Sequence, residues 1–227
     1  MNSASQTASL PADNPKPLPA PAIVAALAAW LAIVLILGAC GAYLGPPGHP
    51  PLAIFVGAVV PLVLFAIALR VYAAFRAFVL ALDLRLIVAM HAWRFVGFGF
   101  IALYMNHVLP GLFAWPAGLG DMAIAIAAPF WIMRLIRNPE MAGSAQFKRW
   151  NVLGMLDFVI AFTTATISVM TITDANAPSI APLGQLPLVL FPEFIVPLFV
   201  MLHIVALMKS KDAAEPPSDV SPVRSAG

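Results

Sequence analysis

Six long apolar runs determine most of what this chain can fold into. Each run is close to the roughly 20 residues that a helix needs to cross about 30 Å of hydrocarbon. Only 10% of the 227 residues are charged, and the mean hydropathy is +0.94, whereas a soluble domain carries roughly 25% charged residues. The net charge of +2 provides no basic surface for nucleic acid. A soluble enzyme, a nucleic-acid-binding protein and a disordered chain are therefore excluded.

The apolar runs predict an all-α transmembrane bundle, because lipid offers no partner for the open backbone groups of other structures. The predicted spans are 22–44, 52–69, 86–105, 118–136, 151–172 and 188–208. They form one transmembrane domain at 21–208, between polar, proline-containing tails at 1–20 and 209–227 that are expected to be disordered. Residues 70–85 place charges among apolar residues, which predicts a helix in the membrane interface or a prolongation of the second span.

Prolines and glycines interrupt the fourth and sixth spans. The segment 109–121 contains two prolines and three glycines, and the sixth span carries Pro187, Pro192 and Pro197. Each proline inside a helix removes a backbone N–H donor. Both helices are therefore predicted to be broken or kinked, with their freed backbone groups facing protein or a wet cavity.

The positions of lysine and arginine predict the orientation. Three connecting segments lack both residues, at 45–51, 106–116 and 173–187, and they alternate with segments that contain them. The basic residues of the other segments are Arg70, Arg76, Arg85, Arg134, Arg137, Lys148, Arg149, Lys209 and Lys211. Under the positive-inside rule, this alternation predicts a multi-pass protein of the cell membrane with both termini in the cytoplasm.

Ionisable side chains inside the spans are the candidate site residues, because a charge at the centre of a membrane helix costs about 2.5 to 3.5 kcal/mol. Their depth follows from the distance to the nearest predicted cytoplasmic basic residue. At about 1.5 Å per residue, Arg94 lies about 14 Å deep and Asp157 about 12 Å deep. An ion pair between the third and fifth spans is therefore predicted, and a purely structural role for that pair is the alternative.

Two further carboxylates lie deeper on the same scale. Asp121 is placed at about 20 Å and Glu193 at about 24 Å. They are expected to share a cavity in the outer half of the bundle, where carboxylates shielded from water can exchange protons. Alternatively, Asp121 caps the start of the fourth helix after Gly118 and Gly120.

Two histidines at equal depth raise the question of a cofactor. His91 and His203 both lie at about 9 Å, and imidazoles from two helices can hold a b-type haem. The alternative is that both histidines bridge helices through hydrogen bonds. Apart from this haem alternative no cofactor is predicted, and with the single cysteine Cys40 no metal site is predicted either.

Four sequence motifs carry a resemblance to a known group of proteins. They are RFVG at 94–97, PAGLGD at 116–121, WNVLGMLD at 150–157 and a proline-rich last helix that ends in His203. In these motifs the chain resembles an uncharacterised group of bacterial six-helix integral membrane proteins. The resemblance implies that Arg94, Asp121, Asn151, Asp157 and His203 are family features. It excludes His91 and Glu193 from that pattern and implies no activity.

The predicted intramembrane polar site consists of Arg94, Asp121, Asn151, Asp157, Glu193 and His203. No HExxH, GxSxG or nucleotide-binding motif occurs, so the sequence does not indicate an enzyme. The favoured hypothesis is binding or translocation of a small molecule or a proton through a polar cavity. The alternatives are an accessory or assembly subunit with structural buried charges, and a haem redox carrier or lipid-phase enzyme. The expected partners are the lipid bilayer, the small molecule or proton, and a second copy of the chain.

Overall fold

The structure, a computed structural model, describes residues 18–46, 48–171, 174 and 176–212. These residues form helices and connecting turns and contain no strand. The α-helices are α1 (Ala20–Ala39), α2 (Leu52–Val71), α3 (Ala73–Ala81), α4 (Leu84–Met90), α5 (Phe98–Met105), α6 (Gly111–Arg137), α7 (Ala145–Thr171) and α8 (Val196–Asp212). The prediction of an all-α fold is confirmed.

Six helical segments in this part of the chain are long and apolar enough to cross a membrane. They are Ala20–Ala39, Leu52–Val71, Leu84–Met105, Gly111–Arg137, Ala145–Thr171 and Phe191–Lys211. The number of predicted spans is therefore confirmed. The first span lies at the periphery of the bundle, because only 11% of its most apolar stretch is buried against the rest of the protein.

The C-terminal helix extends into the region predicted as the second tail. Helix α8 continues to Asp212, past the predicted boundary at 208, because its last turn is anchored to the bundle. Lys209 Nζ donates to the Leu80 carbonyl at 2.5 Å, and Ser210 Oγ donates to the Ala142 carbonyl at 2.5 Å. Most of the two predicted disordered tails, 1–17 and 213–227, lies outside the described residues.

The segment predicted as an interfacial or prolonged helix is a separate short helix. Helix α2 ends at Val71, Tyr72 is extended, and α3 follows. Asp83 then caps α4 by accepting a hydrogen bond from the Arg85 backbone N–H. The Arg85 side chain also donates to the Asp83 carboxylate, which lowers the pKa of Asp83.

The third span is not a continuous α-helix, although its apolar pattern predicts one over 86–105. Between α4 and α5 the backbone forms a 3₁₀ helix at His91–Gly97. Runs of 3₁₀ helix longer than three or four residues are uncommon and often mark strained or functional segments. This segment carries both His91 and Arg94, so the irregular backbone coincides with candidate site residues.

The fourth span is one continuous helix, α6, which begins seven residues before the predicted start at 118. The predicted break is absent: the helix runs through Pro116 and Pro129. The glycines of this segment serve close packing. A Cβ added at Gly118 would lie 3.0 Å from the Gly97 carbonyl oxygen on the third span, so a larger residue would force the two helices apart.

The sixth span departs from regular α-helix at its start. Residues Phe191–Ile195 form a π-helical turn that leads into α8, and the Leu186–Pro187 peptide bond before it is cis. The predicted start at 188 therefore falls in the turn before the helix. The π turn carries Glu193 and buries it completely.

The buried apolar residues form two main clusters at opposite ends of the bundle. One cluster includes Ile87, Ile124 and Phe147 and lies toward the end that carries Lys209. The other includes Phe113 and Leu183 and lies toward the opposite end. Arg94, Asp121 and Asp157 lie between the two clusters in chain order on their respective helices, so the buried charges occupy the middle of the bundle.

Candidate functional site

Arg94 is the centre of the buried polar site. Its side chain is completely inaccessible to solvent, yet a guanidinium is always charged and brings five N–H donors. The structure gives this side chain four hydrogen-bonding contacts, to Asp121, Gly154, Asp157 and His203. Because these partners come from α6, α7 and α8, a single side chain on the third span connects three other spans.

Two carboxylates share the guanidinium. Arg94 Nε donates to Asp121 Oδ1 at 2.7 Å, and Arg94 Nη2 donates to Asp157 Oδ2 at 2.5 Å. The ion pair predicted from the equal depths of Arg94 and Asp157 is present. The predicted position of Asp121 is wrong: it lies in the middle of α6 and pairs with Arg94, rather than capping a helix or joining Glu193. Charge-assisted hydrogen bonds of this kind are among the strongest in proteins.

A chain of hydrogen bonds extends the site to Asn151 and His203. Arg94 Nη1 lies 3.1 Å from His203 Nε2, and because a guanidinium can only donate, this nitrogen accepts. The ring proton is therefore on Nδ1, which donates to Asn151 Oδ1 at 2.9 Å. The Asn151 amide is fixed in turn, because its Nδ2 donates to the Phe147 carbonyl at 2.9 Å. His203 is thus held as the neutral imidazole in one orientation.

Aromatic rings enclose the charged groups on two sides. The Arg94 guanidinium lies over the Phe158 ring at 4.0 Å from its centroid, a cation–π contact. His91 stacks on His203 with 3.8 Å between ring centroids and 19° between ring planes. Trp150 packs edge-on against His91 at 5.5 Å. These contacts exclude water from the side of the site that faces α8.

The stacked histidines do not fit the haem alternative. Axial imidazoles approach a haem iron from opposite faces of the porphyrin, whereas the His91 and His203 rings are in direct contact. Both nitrogens of His203 are also engaged, by Arg94 and Asn151. Within the described residues no group of three or more His, Cys, Asp or Glu side chains is placed to hold a metal ion.

Glycines on the facing helices make room for the polar side chains. A Cβ added at Gly97 would overlap the Asp121 side chain, and one at Gly120 would overlap Asp157 Oδ1. On α7, a Cβ at Gly154 would overlap the His203 ring. Glycine in a helix interior is destabilising by about 1 kcal/mol relative to alanine. Three polar side chains approach these positions so closely that only glycine fits without displacing them. The sequence analysis did not predict this role.

Glu193 belongs to a separate environment. It is completely buried on the π turn, where Gly57 of α2 leaves the space for its carboxyl group. Neither carboxyl oxygen has a hydrogen bond of regular geometry within the described residues, although Tyr43 lies beside the group. Burial, reinforced by the Glu193 carboxyl, raises the pKa of Tyr43 to about 12. The predicted cavity shared by Asp121 and Glu193 is therefore not formed by these two residues.

An apolar cavity of about 60 Å³ leads to the two carboxylates. Its polar residues are Asp121 and Asp157, and its walls include Phe158. Near its other end it is lined by Pro51, at the start of α2, and Leu183, in the turn before the sixth span. The charge pattern of the loops predicts that this end faces outward. At roughly 10 to 15 Å³ per water, the cavity has room for a few waters or a small organic group.

Six apolar helical segments around a buried ionic cluster define a helical bundle of the integral membrane type. The chain belongs to the family described as Domain of unknown function (DUF8737), which matches residues 51–209. Comparisons with curated proteins and with solved structures gave no match. The matched region contains all partners of Arg94 as well as Gly57 and Glu193, and it begins after the peripheral helix α1.

Proposed function

We propose that this protein is a multi-pass protein of the cell membrane that binds a small molecule or a proton at the inner end of its cavity. The binding groups are the carboxylates of Asp121 and Asp157, which Arg94 positions. Translocation of the bound species is the activity that such a site would support. The proposal rests on one observation: two charged side chains line an otherwise apolar cavity.

The difference in exposure among the three charged side chains supports a binding role. The Arg94 side chain is sealed at 0%, whereas the side chains of Asp121 and Asp157 keep exposures of 13% and 10%. Because both residues line the cavity, a ligand inside it would lie next to their side chains. In an accessory subunit, where the charges only fix helix packing, no cavity beside the carboxylates is needed.

Thiol labelling tests whether the cavity is open to solutes. We expect Ala165→Cys, in a Cys40→Ala background, to react with methyl methanethiosulfonate in folded protein purified in mild detergent. Ala165 lines the cavity and leaves Asp121 and Asp157 in place. The measurement is the rate of mass increase of the intact protein.

The matched control is Ala128→Cys in the same background. Ala128 is an equally small, buried residue, but it lies in the apolar cluster at the other end of the bundle. We expect it to stay unmodified until the protein is unfolded. If the two thiols react equally slowly, the cavity is closed to solutes and the role of the charges is packing.

A further inference from the structure

We propose that the ligand of this cavity is a small organic ammonium ion, with its cationic head against Asp121 and Asp157 and its apolar part against the phenylalanine walls. This inference rests on the proposed function, since it names the class of ligand for the same site. It follows from which atoms the cavity presents, from the charge of the cluster and from the nature of the walls.

The cavity presents hydrogen-bond acceptors only. Arg94 engages one oxygen of each carboxylate, Oδ1 of Asp121 and Oδ2 of Asp157. The second oxygens, Oδ2 of Asp121 beside Gly97 and Oδ1 of Asp157 beside Gly120, accept no hydrogen bond from the described residues. The guanidinium itself is sealed behind the carboxylates, at 0% exposure, and cannot contact a ligand. A ligand with donors matches this surface, and a carboxylate or phosphate ligand would meet only like charge.

The charge of the cluster favours a cation over a neutral donor. One guanidinium faces two carboxylates, so with both ionised the cluster carries one net negative charge, which either a proton on one carboxylate or a bound cation neutralises. His203 adds no charge, because its Nε2 accepts from Arg94, and His91 lies on the far side of His203. A neutral alcohol can occupy the free acceptor positions only if one carboxylate keeps a proton, because an uncompensated charge in apolar surroundings is costly. An ammonium group supplies both the donors and the charge.

The walls of the cavity suit the rest of such a ligand. Besides the two aspartates, the lining is apolar, and it includes the aromatic rings of Phe100, Phe113, Phe158, Phe162 and Phe191. Aromatic faces attract cations as well as alkyl groups. The volume of about 60 Å³ limits the ligand to a short alkyl chain.

The test uses an Ala117→Cys protein in a Cys40→Ala background, because Ala117 lines the cavity one helical turn from Asp121, and three probes of similar size: propylammonium, 1-propanol and propionate. Each probe is added before methyl methanethiosulfonate, and the labelling rate is measured by intact mass. At about ten times its dissociation constant, propylammonium should slow labelling about tenfold by mass action. At the same concentration, 1-propanol and propionate should leave the rate nearly unchanged.

Variants assign the protection to the two carboxylates. Asp157→Asn and Asp121→Asn, each added to the labelled protein, should weaken protection by propylammonium, and either one suffices if the other fails to fold. Glu193→Gln is the matched control, because it also neutralises a buried carboxyl group but lies outside the cavity lining. It should keep full protection.

The outcomes separate this inference from the proposed function. Equal protection by 1-propanol, protection by propionate, or no protection by any probe while labelling remains fast would overturn the ammonium inference and leave the open cavity intact. Protection that survives both aspartate variants would overturn it as well. Absence of labelling without any probe contradicts the proposed function itself.

Discussion

Replacing Arg94 with alanine is expected to destabilise the folded protein by about 3 to 5 kcal/mol, because it leaves two buried carboxylates without their cation. The substitution also removes the hydrogen-bonding contacts to Gly154 and His203. Arg94→Lys should recover only part of the stability, since one ammonium group cannot reproduce the planar fork of donors. The measurement is the folded yield in mild detergent together with the midpoint of thermal unfolding.

Arg85→Ala is the matched control for this prediction. Arg85 also pairs with an aspartate, at 2.8 Å from Asp83, but the side chains of both residues are about half exposed, at 56% and 48%. An exposed ion pair contributes little to stability, because water and salt screen its attraction. If the Arg94 and Arg85 variants lose the same small amount of stability, the Arg94 cluster does not hold the bundle together.

Gly120→Ala is expected to destabilise the protein by about 1 to 3 kcal/mol, the usual cost of adding a methyl group to a closely packed interior. The new Cβ would overlap Asp157 Oδ1 and force that carboxylate away from Arg94. Gly154→Ala should behave in the same way, because its Cβ would overlap the His203 ring. Thermal unfolding of the purified variants measures both effects.

Gly99→Ala provides the control, since a Cβ at this position in α5 would have no atom within 4 Å. Alanine is favoured over glycine in a helix by about 1 kcal/mol. The variant should therefore be as stable as the parent protein or slightly more so. A loss of stability at Gly99 comparable to that at Gly120 would show that the effect is not a matter of space around the polar cluster.

The sequence was sufficient to predict the bundle and one ion pair of its site. Six apolar runs of membrane-spanning length leave no other fold class, and the structure has six such helices. Arg94 and Asp157 could be paired because opposite charges at equal depth in lipid stabilise each other. The same reasoning applies to any pair of spans in which each carries one charge at matching depth.

Asp121 could not be assigned in this way, for two physical reasons. Depth counted along an α-helix assumes about 1.5 Å per residue, but Arg94 lies on a 3₁₀ segment, which rises about 2.0 Å per residue. The long arginine side chain also reaches beyond the level of its own backbone. Proline and glycine before Asp121 indicated a helix start, whereas Gly118 and Gly120 lie inside α6 and allow neighbouring spans to approach.

Residues without charge were the hardest to interpret. Asn151 and His203 stood out through the family resemblance, but nothing in their spacing indicated that they bond to each other and that His203 reaches Arg94. The position of Glu193, although it is an ionisable residue, could not be predicted either: its acidity and depth predict a cavity shared with Asp121. Its actual neighbour, Tyr43, lies in the turn after α1, a contact that only the tertiary packing defines.

A double-mutant cycle on Arg94 and Asp157 tests most directly whether the charged residues act as one unit at the centre of the bundle. Asp157→Asn keeps the shape of the side chain and Arg94→Gln keeps a shorter polar one, and the stabilities of the variants can be measured singly and together by unfolding in detergent. The ion pair in the structure predicts that the double variant loses less stability than the sum of the single losses, by about 1 to 3 kcal/mol. Losses that add to within about 0.5 kcal/mol would show that the two residues do not interact and would contradict the site as described.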